Sequence, residues 1–336
     1  MIEVSFLLAV FVLAFVMTAV LRRYALKRNV LDIPNARSSH QVPTPRGGGV
    51  AIVLSVLAAL PVAVSFFGME LSFSLKVAAA IAIIAIVGFA DDHQHINAGW
   101  RLLWHFTAAA LVVWAVGGLP ALSYFGTAVD LGWFGHIAAV VAVVWMINLT
   151  NFMDGIDGLA ASQTIFLCAG MVLAAAMFTT LPNLWLPLLV LCASAGFLCW
   201  NFPPARIFMG DAGSGFLGLI LAAIILQMTQ IAPQLFWSGV ILYACFIVDA
   251  TYTLTTRLLQ GKKMYEAHRT HGYQIASRRL SSHKKVTLSV QLFNLCWLLP
   301  LAGLVAWQQL DGVIAVILAY VPPLYVVSRL KAGIDD

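Results

Sequence analysis

Charged side chains are scarce in this sequence. Only 10% of its 336 residues are Asp, Glu, Lys or Arg, and 61% are hydrophobic. A soluble domain carries about 25% charged and about 45–50% apolar residues. A soluble globular enzyme is therefore excluded, and a chain that crosses a bilayer repeatedly is predicted. Cysteine adds little. Cys168, Cys192, Cys199, Cys245 and Cys296 all sit in apolar runs, and no Cys-x-x-Cys pair occurs. They read as small hydrophobes in packed helices, which argues against a disulfide framework or a thiolate metal site. There is no internal repeat, and no loop is long enough for a soluble domain. A single integral-membrane domain over residues 1–336 is expected, with any chemistry carried by helix ends and loops. No cleavable signal peptide is expected either, because the first apolar run, 2–21, is long enough to span and is followed by Arg22 and Arg23.

What the chain does have is apolar sequence in blocks. Eleven runs, at 2–21, 48–67, 75–90, 101–117, 135–150, 159–178, 184–200, 214–230, 236–258, 286–306 and 311–328, predict an all-α polytopic membrane protein of about 11 transmembrane helices. With the N-terminus outside and the runs alternating, 18 of the 19 basic residues fall in inner segments and only Lys76 falls outside. This is the positive-inside asymmetry. It explains the net charge of +5 without nucleic acid and puts the C-terminus in the cytoplasm. Glu3, Glu70, Asp130 and Asp311 then lie outside, whereas Asp91, Asp92, Asp154, Asp157, Asp211 and Asp249 lie inside or at inner helix ends. An active site at the cytoplasmic face is the natural inference.

The most conspicuous polar stretch follows the fifth run. Asn148, Asn151, Asp154 and Asp157 recur every three residues, and Gly155 and Gly158 follow the two acids. In a helix such residues adjoin on one face, and glycine lets backbone approach a ligand closely. Clustered amides and carboxylates in so apolar a chain are costly unless they meet water, a metal or a substrate. A polar turn between spans is the plainer alternative. Asp91 and Asp92 end the third run. Adjacent carboxylates repel, which favours a shared cation or a tightly held proton. They also oppose the macrodipole at a helix C-terminus, so a merely solvated helix end is the less attractive explanation.

Gly210-Asp211-Ala212-Gly213-Ser214-Gly215 opens the eighth run. Backbone N–H groups there could meet an anion, although Asp211 would serve equally as an N-cap. The first inner loop holds Arg37, His40 and Arg46 among prolines and glycines. An ordinary basic inner loop would account for them as well. In the last long inner loop, His268 and His271 are too few for a zinc site, and phosphate binding through Arg269 and the imidazoles is the better reading. Asp249 lies inside the ninth run, a position that demands a partner the sequence does not name.

Carboxylates beside bases on one membrane face suit phosphoryl transfer. Carboxylates hold Mg²⁺, the metal neutralises phosphates, and Arg and His take the remaining oxygens. The reaction needs positioning and charge neutralisation more than covalent work by the protein. An amphiphilic acceptor would lie between helices with its phosphate at the inner surface.

Four motifs carry a resemblance. They are Asp91-Asp92; Asn148-x-x-Asn151-x-x-Asp154-Gly-x-Asp157-Gly-Leu; Phe208-Met-Gly-Asp211-x-Gly-Ser; and the loop Asp32-x-Pro-x-x-Arg37-x-x-His40-x-x-Pro43-x-Pro-x-Gly-Gly. Together, in this order and across most of the chain, they resemble the polyprenyl-phosphate N-acetylhexosamine-1-phosphate transferases of glycosyltransferase family 4. The likeness is greatest to bacterial enzymes that start O-antigen or related surface polysaccharides. It implies a multi-pass protein of the bacterial inner membrane that transfers N-acetylhexosamine-1-phosphate from a UDP-sugar to undecaprenyl phosphate and releases UMP. It also implies Mg²⁺, or Mn²⁺ in its place, held by Asp211 with Asn151. Asp157 would contact the nucleotide base, with Asn148 lining the substrate site. Asp91, Asp92 and Asp154 would position or activate the lipid phosphate, and Arg101, Arg269, His268, His271, Arg37 and His40 would bind substrate. A homodimer is left open.

Two alternatives stand beside this reading. The phospho-N-acetylmuramoyl-pentapeptide transferases of peptidoglycan synthesis share the family's acids, but the first loop differs from theirs. From another class, a cation-coupled transporter would explain intramembrane acids, although transporters place them near the midplane in paired halves. The relatives' His-rich ending of the last loop is replaced here by Gly272, Tyr273 and Gln274 after His271, which leaves the sugar open.

Overall fold

The computed structural model describes residues 1–34, 42–94, 96–262 and 268–335. Arg37 and His40 lie outside the described residues. The backbone is almost entirely helical, as a chain immersed in lipid must be when water is not there to satisfy N–H and C=O groups. In order, the helices are α1 (Ile2–Arg28), α2 (Val50–Phe67), α3 (Leu71–Gln94), α4 (Ala98–Ala115), α5 (Gly132–Phe152), α6 (Leu159–Ala175), α7 (Leu181–Asn201), α8 (Asp211–Ile231), α9 (Leu235–Leu242), α10 (Ala244–Leu259), α11 (Gly272–Leu280), α12 (His283–Phe293), α13 (Leu299–Ala306) and α14 (Gly312–Leu330). A π-helical segment, Asn294–Leu298, joins α12 to α13.

Each of the eleven apolar runs falls on a helix or a broken helix pair. Among the described residues, eight helices are long and apolar enough to cross a membrane, and the bent pair α9–α10 would make nine. The run at 159–178 gives the 17-residue α6, shorter than that measure requires. The protein is a multi-pass membrane protein.

The bundle is organised around α8, which is apolar on all sides and almost wholly buried. It packs against α3, α5, α6 and α9. Helices in lipid gain little from hydrophobicity against one another, so close approach through small residues matters. A Cβ on Gly88 of α3 would stand 2.6 Å from the Cα and from the N of Ala212, and one on Gly218 would stand 2.6 Å from Ile147 Cα. The end of α8 that begins at Asp211 is thus drawn tightly onto α3.

The ninth span breaks at Tyr243, and its halves meet at 64°. A break frees backbone groups that are costly in apolar surroundings, and side chains from neighbouring spans satisfy them. Gln163 Nε2 donates to the Leu242 carbonyl at 2.8 Å, Asn294 of the π segment donates to Gln163 Oε1 at 2.7 Å, and the Tyr243 and Thr150 hydroxyls bond at 2.7 Å. Two short hairpins complete the fold, β1 (Leu31–Asp32) with β2 (Thr44–Pro45) and β3 (Leu122–Tyr124) with β4 (Thr127–Val129).

If the α3–α8 contact sets the geometry at this end of the bundle, Gly88→Ala should lower the unfolding temperature in detergent by several degrees. Overpacking of this kind costs about 1–3 kcal/mol. Gly303→Ala, where no atom lies within 4 Å of the added Cβ, should melt as wild type does. Equal melting of all three proteins would refute the argument.

Candidate active site

The site forms where α8 begins. The first N–H groups of a helix have no partner within it and carry partial positive charge. Here they meet a carboxylate from another helix. Asp92, near the end of α3, accepts from the Asp211 N–H at 3.0–3.1 Å and from the Ala212 N–H at 3.4 Å. Asp211 is therefore not the cap of its own helix. Gly210, at φ 80°, turns the chain into α8, and the capping group comes from α3.

Arg46 ties these acids together. Its Nη2 lies 2.8 Å from Asp92 Oδ1 and 2.8 Å from Asp211 Oδ1. The segment that carries it is zipped onto the approach to α8. The Phe208 N–H donates to Pro45 O at 2.8 Å, the Gly48 N–H to Phe208 O at 2.9 Å, and the Gly49 N–H to Met209 O at 2.8 Å. Glycine is needed beside Arg46 because a Cβ at Gly48 would stand 2.7 Å from Phe197 and one at Gly49 2.7 Å from Met209 Cγ. Burial alone would lower the Arg46 pKa, but the charges of Asp211, Asp92 and Asp32 outweigh it and raise it. Arg46 stood in the sequence as one base of a basic loop. Its place in the site could have been suspected from the glycine run that follows it.

From α5, Asn151 Nδ2 donates to Asp211 Oδ1 at 3.1 Å and to Ser214 Oγ at 2.9 Å. Asp154 follows in the turn between α5 and α6. Its half-buried carboxylate makes no hydrogen bond or ion pair among the described residues. Burial, then the charge of Asp211, holds its pKa well above the ordinary 3.8, with Asp92 and Asp157 adding to the shift against Arg46.

The remaining candidates are distributed differently from their sequence motif. Asp157 is engaged within the protein: Oδ2 accepts from the Ala205 N–H at 2.9 Å and Oδ1 lies 3.0 Å from His283 Nδ1. Asn148 donates to Val144 O at 2.8 Å and stands 3.3 Å from His105 Nδ1, away from Asp211. Asp91 is only 7% exposed and turns from Asp92 toward α4, where it pairs with Arg101 and accepts from the Ile96 N–H at 2.8 Å. The two adjacent acids thus avoid mutual repulsion by facing different partners.

The segment 268–274 docks beside the turn that carries Asp154. Tyr273 OH donates to Phe152 O at 2.8 Å, and the His271 ring stacks between Phe152 and Tyr273, with centroids 6.1 and 5.9 Å away. His271 is buried, and Arg269 is exposed. Burial, and then the neighbouring His271 and Arg257, push the His268 pKa down to about 3. His268 is therefore neutral near pH 7. With its Nδ1 facing the Thr270 N–H and hydroxyl at 3.4 and 3.0 Å, Nε2 is left as the donor. Against the same turn lies a cavity of about 370 Å³, lined almost wholly by apolar side chains including Met153, Leu159, Phe246, Tyr273, Val290 and Pro323.

Among the described residues no group of three His, Cys, Asp or Glu side chains is spaced to hold a metal by itself. Mg²⁺ does not require one, because it binds through one or two carboxylates and keeps waters and substrate phosphates as its other ligands. The donors present fit that need. Among the described residues Asp154 has no hydrogen-bond or ion-pair partner, Asp211 accepts side-chain hydrogen bonds at Oδ1 only, and Asn151 uses its NH₂ on Asp211 and Ser214, which leaves its carbonyl oxygen available.

Three carboxylates and one guanidinium gathered near helix ends of a membrane protein are a charge arrangement suited to binding phosphate groups through a divalent cation. Comparison with known proteins agrees. The family model described as Glycosyl transferase family 4 matches residues 74–229. The chain is 28% identical to "Probable undecaprenyl-phosphate N-acetylglucosaminyl 1-phosphate transferase" of Bacillus subtilis, over 83% of this chain and 78% of the relative. It is 26% identical to an undecaprenyl-phosphate alpha-N-acetylglucosaminyl 1-phosphate transferase of Thermotoga maritima, over 84% and 86%, respectively. It is also 28% identical to a phospho-N-acetylmuramoyl-pentapeptide-transferase of Kosmotoga olearia, over 70% and 76%. Over residues 74–229 the chain is similar to glycosyl transferase family 4, and its likeness to these relatives marks it as a phosphosugar transferase.

The raised pKa of Asp154 has a measurable consequence. The folded protein holds a proton that the unfolded chain releases, so stability falls as pH rises from about 3.8 toward the raised value. Asp154→Asn removes that loss. Without divalent cations, the variant should melt above wild type at pH 7, and the difference should vanish below about pH 4. Thermal unfolding at both pH values tests this, and a variant that melts lower at pH 7 would contradict it.

Proposed function

We propose that the protein transfers N-acetylhexosamine-1-phosphate from a UDP-sugar to undecaprenyl phosphate. A lipid-phosphate oxygen attacks the phosphorus attached to the sugar, the bond to the UMP oxygen breaks, and a lipid-diphosphate sugar and UMP result. The observation that carries this reading is the meeting of Asp92, Asp154, Asp211 and Arg46 at the start of α8, beside an apolar cavity. The polyprenyl chain of an amphiphilic acceptor needs apolar surroundings while its phosphate needs charge, and the cavity reaches Met153, next to Asp154. The Bacillus subtilis and Thermotoga maritima relatives are named for N-acetylglucosaminyl 1-phosphate transfer to undecaprenyl phosphate, which favours N-acetylglucosamine as the sugar.

Asp211 and Asp154, with the Asn151 carbonyl, would hold Mg²⁺, which when bound neutralises the diphosphate of the donor. Arg46 orients the Asp211 carboxylate and adds positive charge beside it. Asp92 fixes the start of α8, so that Asp211 is held in place while substrates come and go. We favour direct attack over a covalent aspartyl-phosphate. A phosphate monoester has a second pKa of about 6 and is mostly dianionic at pH 7, so no strong base is required. Arg269, exposed near the site, and the neutral Nε2–H of His268 are available to the nucleotide sugar.

The positive-inside pattern supports a cytoplasmic site, eleven spans and an outside N-terminus in the inner membrane of a bacterium. A place at the first membrane step of O-antigen or a related surface polysaccharide accords with the motifs. The Kosmotoga olearia relative keeps phospho-N-acetylmuramoyl-pentapeptide transfer as the second reading. Transport is less well supported, because Asp92, Asp154 and Asp211 stand at helix ends.

A panel of UDP-sugars with undecaprenyl phosphate, scored by UMP release in Mg²⁺, tests the reading. UDP-N-acetylglucosamine should be used, and turnover confined to the muramoyl-pentapeptide donor would select the second reading. Asp211→Asn and Asp154→Asn should each lower turnover by at least about 100-fold while the proteins remain folded, as expected when electrostatic stabilisation of the reacting phosphates is lost. Robust turnover by either purified variant would remove these residues from the site. Arg269→Ala should raise KM for the nucleotide sugar more than for the lipid phosphate, and equal rises would contradict its assignment.

A further inference from the structure

Asp249 makes no contact with the acids at the start of α8, although it is among the residues that line the apolar cavity. It is 5% exposed and lies in α10, the half of the broken ninth span that follows the bend. An acid so placed needs partners, and it finds them in the first turn of α11. Oδ1 accepts from the Gly272 N–H at 2.8 Å and Oδ2 from the Tyr273 N–H at 2.8 Å. Thr253 Oγ1 donates to Oδ1 at 3.2 Å, and His271 Nδ1 lies 3.5 Å from the same oxygen, within ion-pair reach but making no hydrogen bond. Position 272 tolerates little beyond glycine, since a Cβ there would stand 3.0 Å from Asp249 Oδ2 and 2.9 Å from Val327 Cγ1.

The peptide that Asp249 grips at one end reaches the site at the other. Tyr273 OH donates to the carbonyl of Phe152, the last residue of α5 and two residues before Asp154. Gly155 faces the same hydroxyl, and a Cβ there would also stand 3.0 Å from Gln274 Nε2. Gln274 Oε1 in turn accepts from the His271 N–H at 3.3 Å. A chain of direct contacts therefore runs from the Asp249 carboxylate through residues 271–274 to the turn that carries Asp154.

We propose that Asp249 is a positioning residue for the nucleotide-sugar side of the site. By holding the first turn of α11, it sets where the His268–His271 segment and the Tyr273 hydroxyl stand relative to Asp154, without touching the nucleotide sugar. This rests on the reading of that segment as part of the UDP-sugar site. A cap that served folding alone would leave both Michaelis constants of the folded enzyme unchanged. A positioning residue moves one of them, because displacements of about 1 Å at a distance can cost up to about 100-fold in rate or binding.

The test uses the full chain in detergent or nanodiscs. Asp249→Asn keeps the shape but offers a single acceptor to two N–H groups. It should raise KM for UDP-N-acetylglucosamine at least about tenfold while KM for undecaprenyl phosphate stays within about twofold. Hydrogen exchange of the Gly272 and Tyr273 amides should quicken at the same time. Tyr273→Phe should shift the same constant in the same direction, and the double variant should be no worse than Asp249→Asn, since both changes act on one docked peptide. Equal rises in both constants, or wild-type constants in a folded Asp249→Asn, would overturn the proposal. If Asp249→Asn does not accumulate folded, Tyr273→Phe decides, and unchanged constants there overturn it equally. If wild type uses no UDP-sugar, it is the proposed function that fails. The exchange rates then decide separately whether Asp249 holds the turn, and amides no faster in the variant overturn that too.

Discussion

The contact between the Asp92 carboxylate and the first N–H groups of α8 is the constraint from which the site follows. The first N–H groups of α8 have no partner within the helix. A carboxylate supplied from α3 answers both the orphan donors and the partial positive charge of the helix end. Once Asp92 is there, its own charge requires a partner, and Arg46 reaches it from a loop zipped to the approach of α8. Arg46 in turn faces Asp211. Helix packing, capping and the charge constellation are one structure. The close approach of Gly88 to Ala212 is what allows α3 and α8 to meet there.

The same device occurs a second time. Asp249, buried in α10, receives two backbone donors from the start of α11, as Asp92 receives them from α8. In both cases a carboxylate in or at the end of a spanning helix is stabilised by the beginning of another helix, 119 residues away for Asp92 and 23 for Asp249. Neither acid is left to be balanced by a free cation. The bend of the ninth span depends on a comparable exchange, in which Gln163, Asn294, Thr150 and Tyr243 satisfy one another and the Leu242 carbonyl. Polar residues in this bundle are where the backbone changes course.

That pattern marks what could be read from the sequence. Long apolar runs and helix positions were legible because hydrophobicity and length are local properties, and each run met a helix. The bent ninth span was not, since its apolar run is continuous and the break is stabilised by residues 79 and 93 positions away. The acids of the site were legible as costly groups in an apolar chain. Their partition was not. The three-residue repeat from Asn148 to Asp157 suggested one face, but α5 ends at Phe152, so only Asn148 and Asn151 lie in a helix. Asn148 turns to His105, Asn151 to Asp211, and Asp157 to Ala205 and His283. Arg46 and Asp249 were visible in the sequence, but their partners were not, because only tertiary structure supplies them.

The division of labour among the acids narrows what each can contribute to phosphate transfer. Asp91 neutralises Arg101, Asp92 holds the start of α8, and Asp157 ties the turn after α5 to Ala205 and His283. A carboxylate that satisfies backbone donors in a low-dielectric setting is poorly suited to accept a new ligand, because leaving those donors unpaired is costly. Asp154 alone has no such obligation among the described residues, and Asp211 has one oxygen to spare. Burial and the charges of Asp211 and Asp92 disfavour its anion, and a divalent cation shared with Asp211 would reverse that disfavour. Under the proposed reaction Asp154 therefore acts as a group that is uncomfortable until metal and phosphates arrive, and the other acids as the frame that keeps it so.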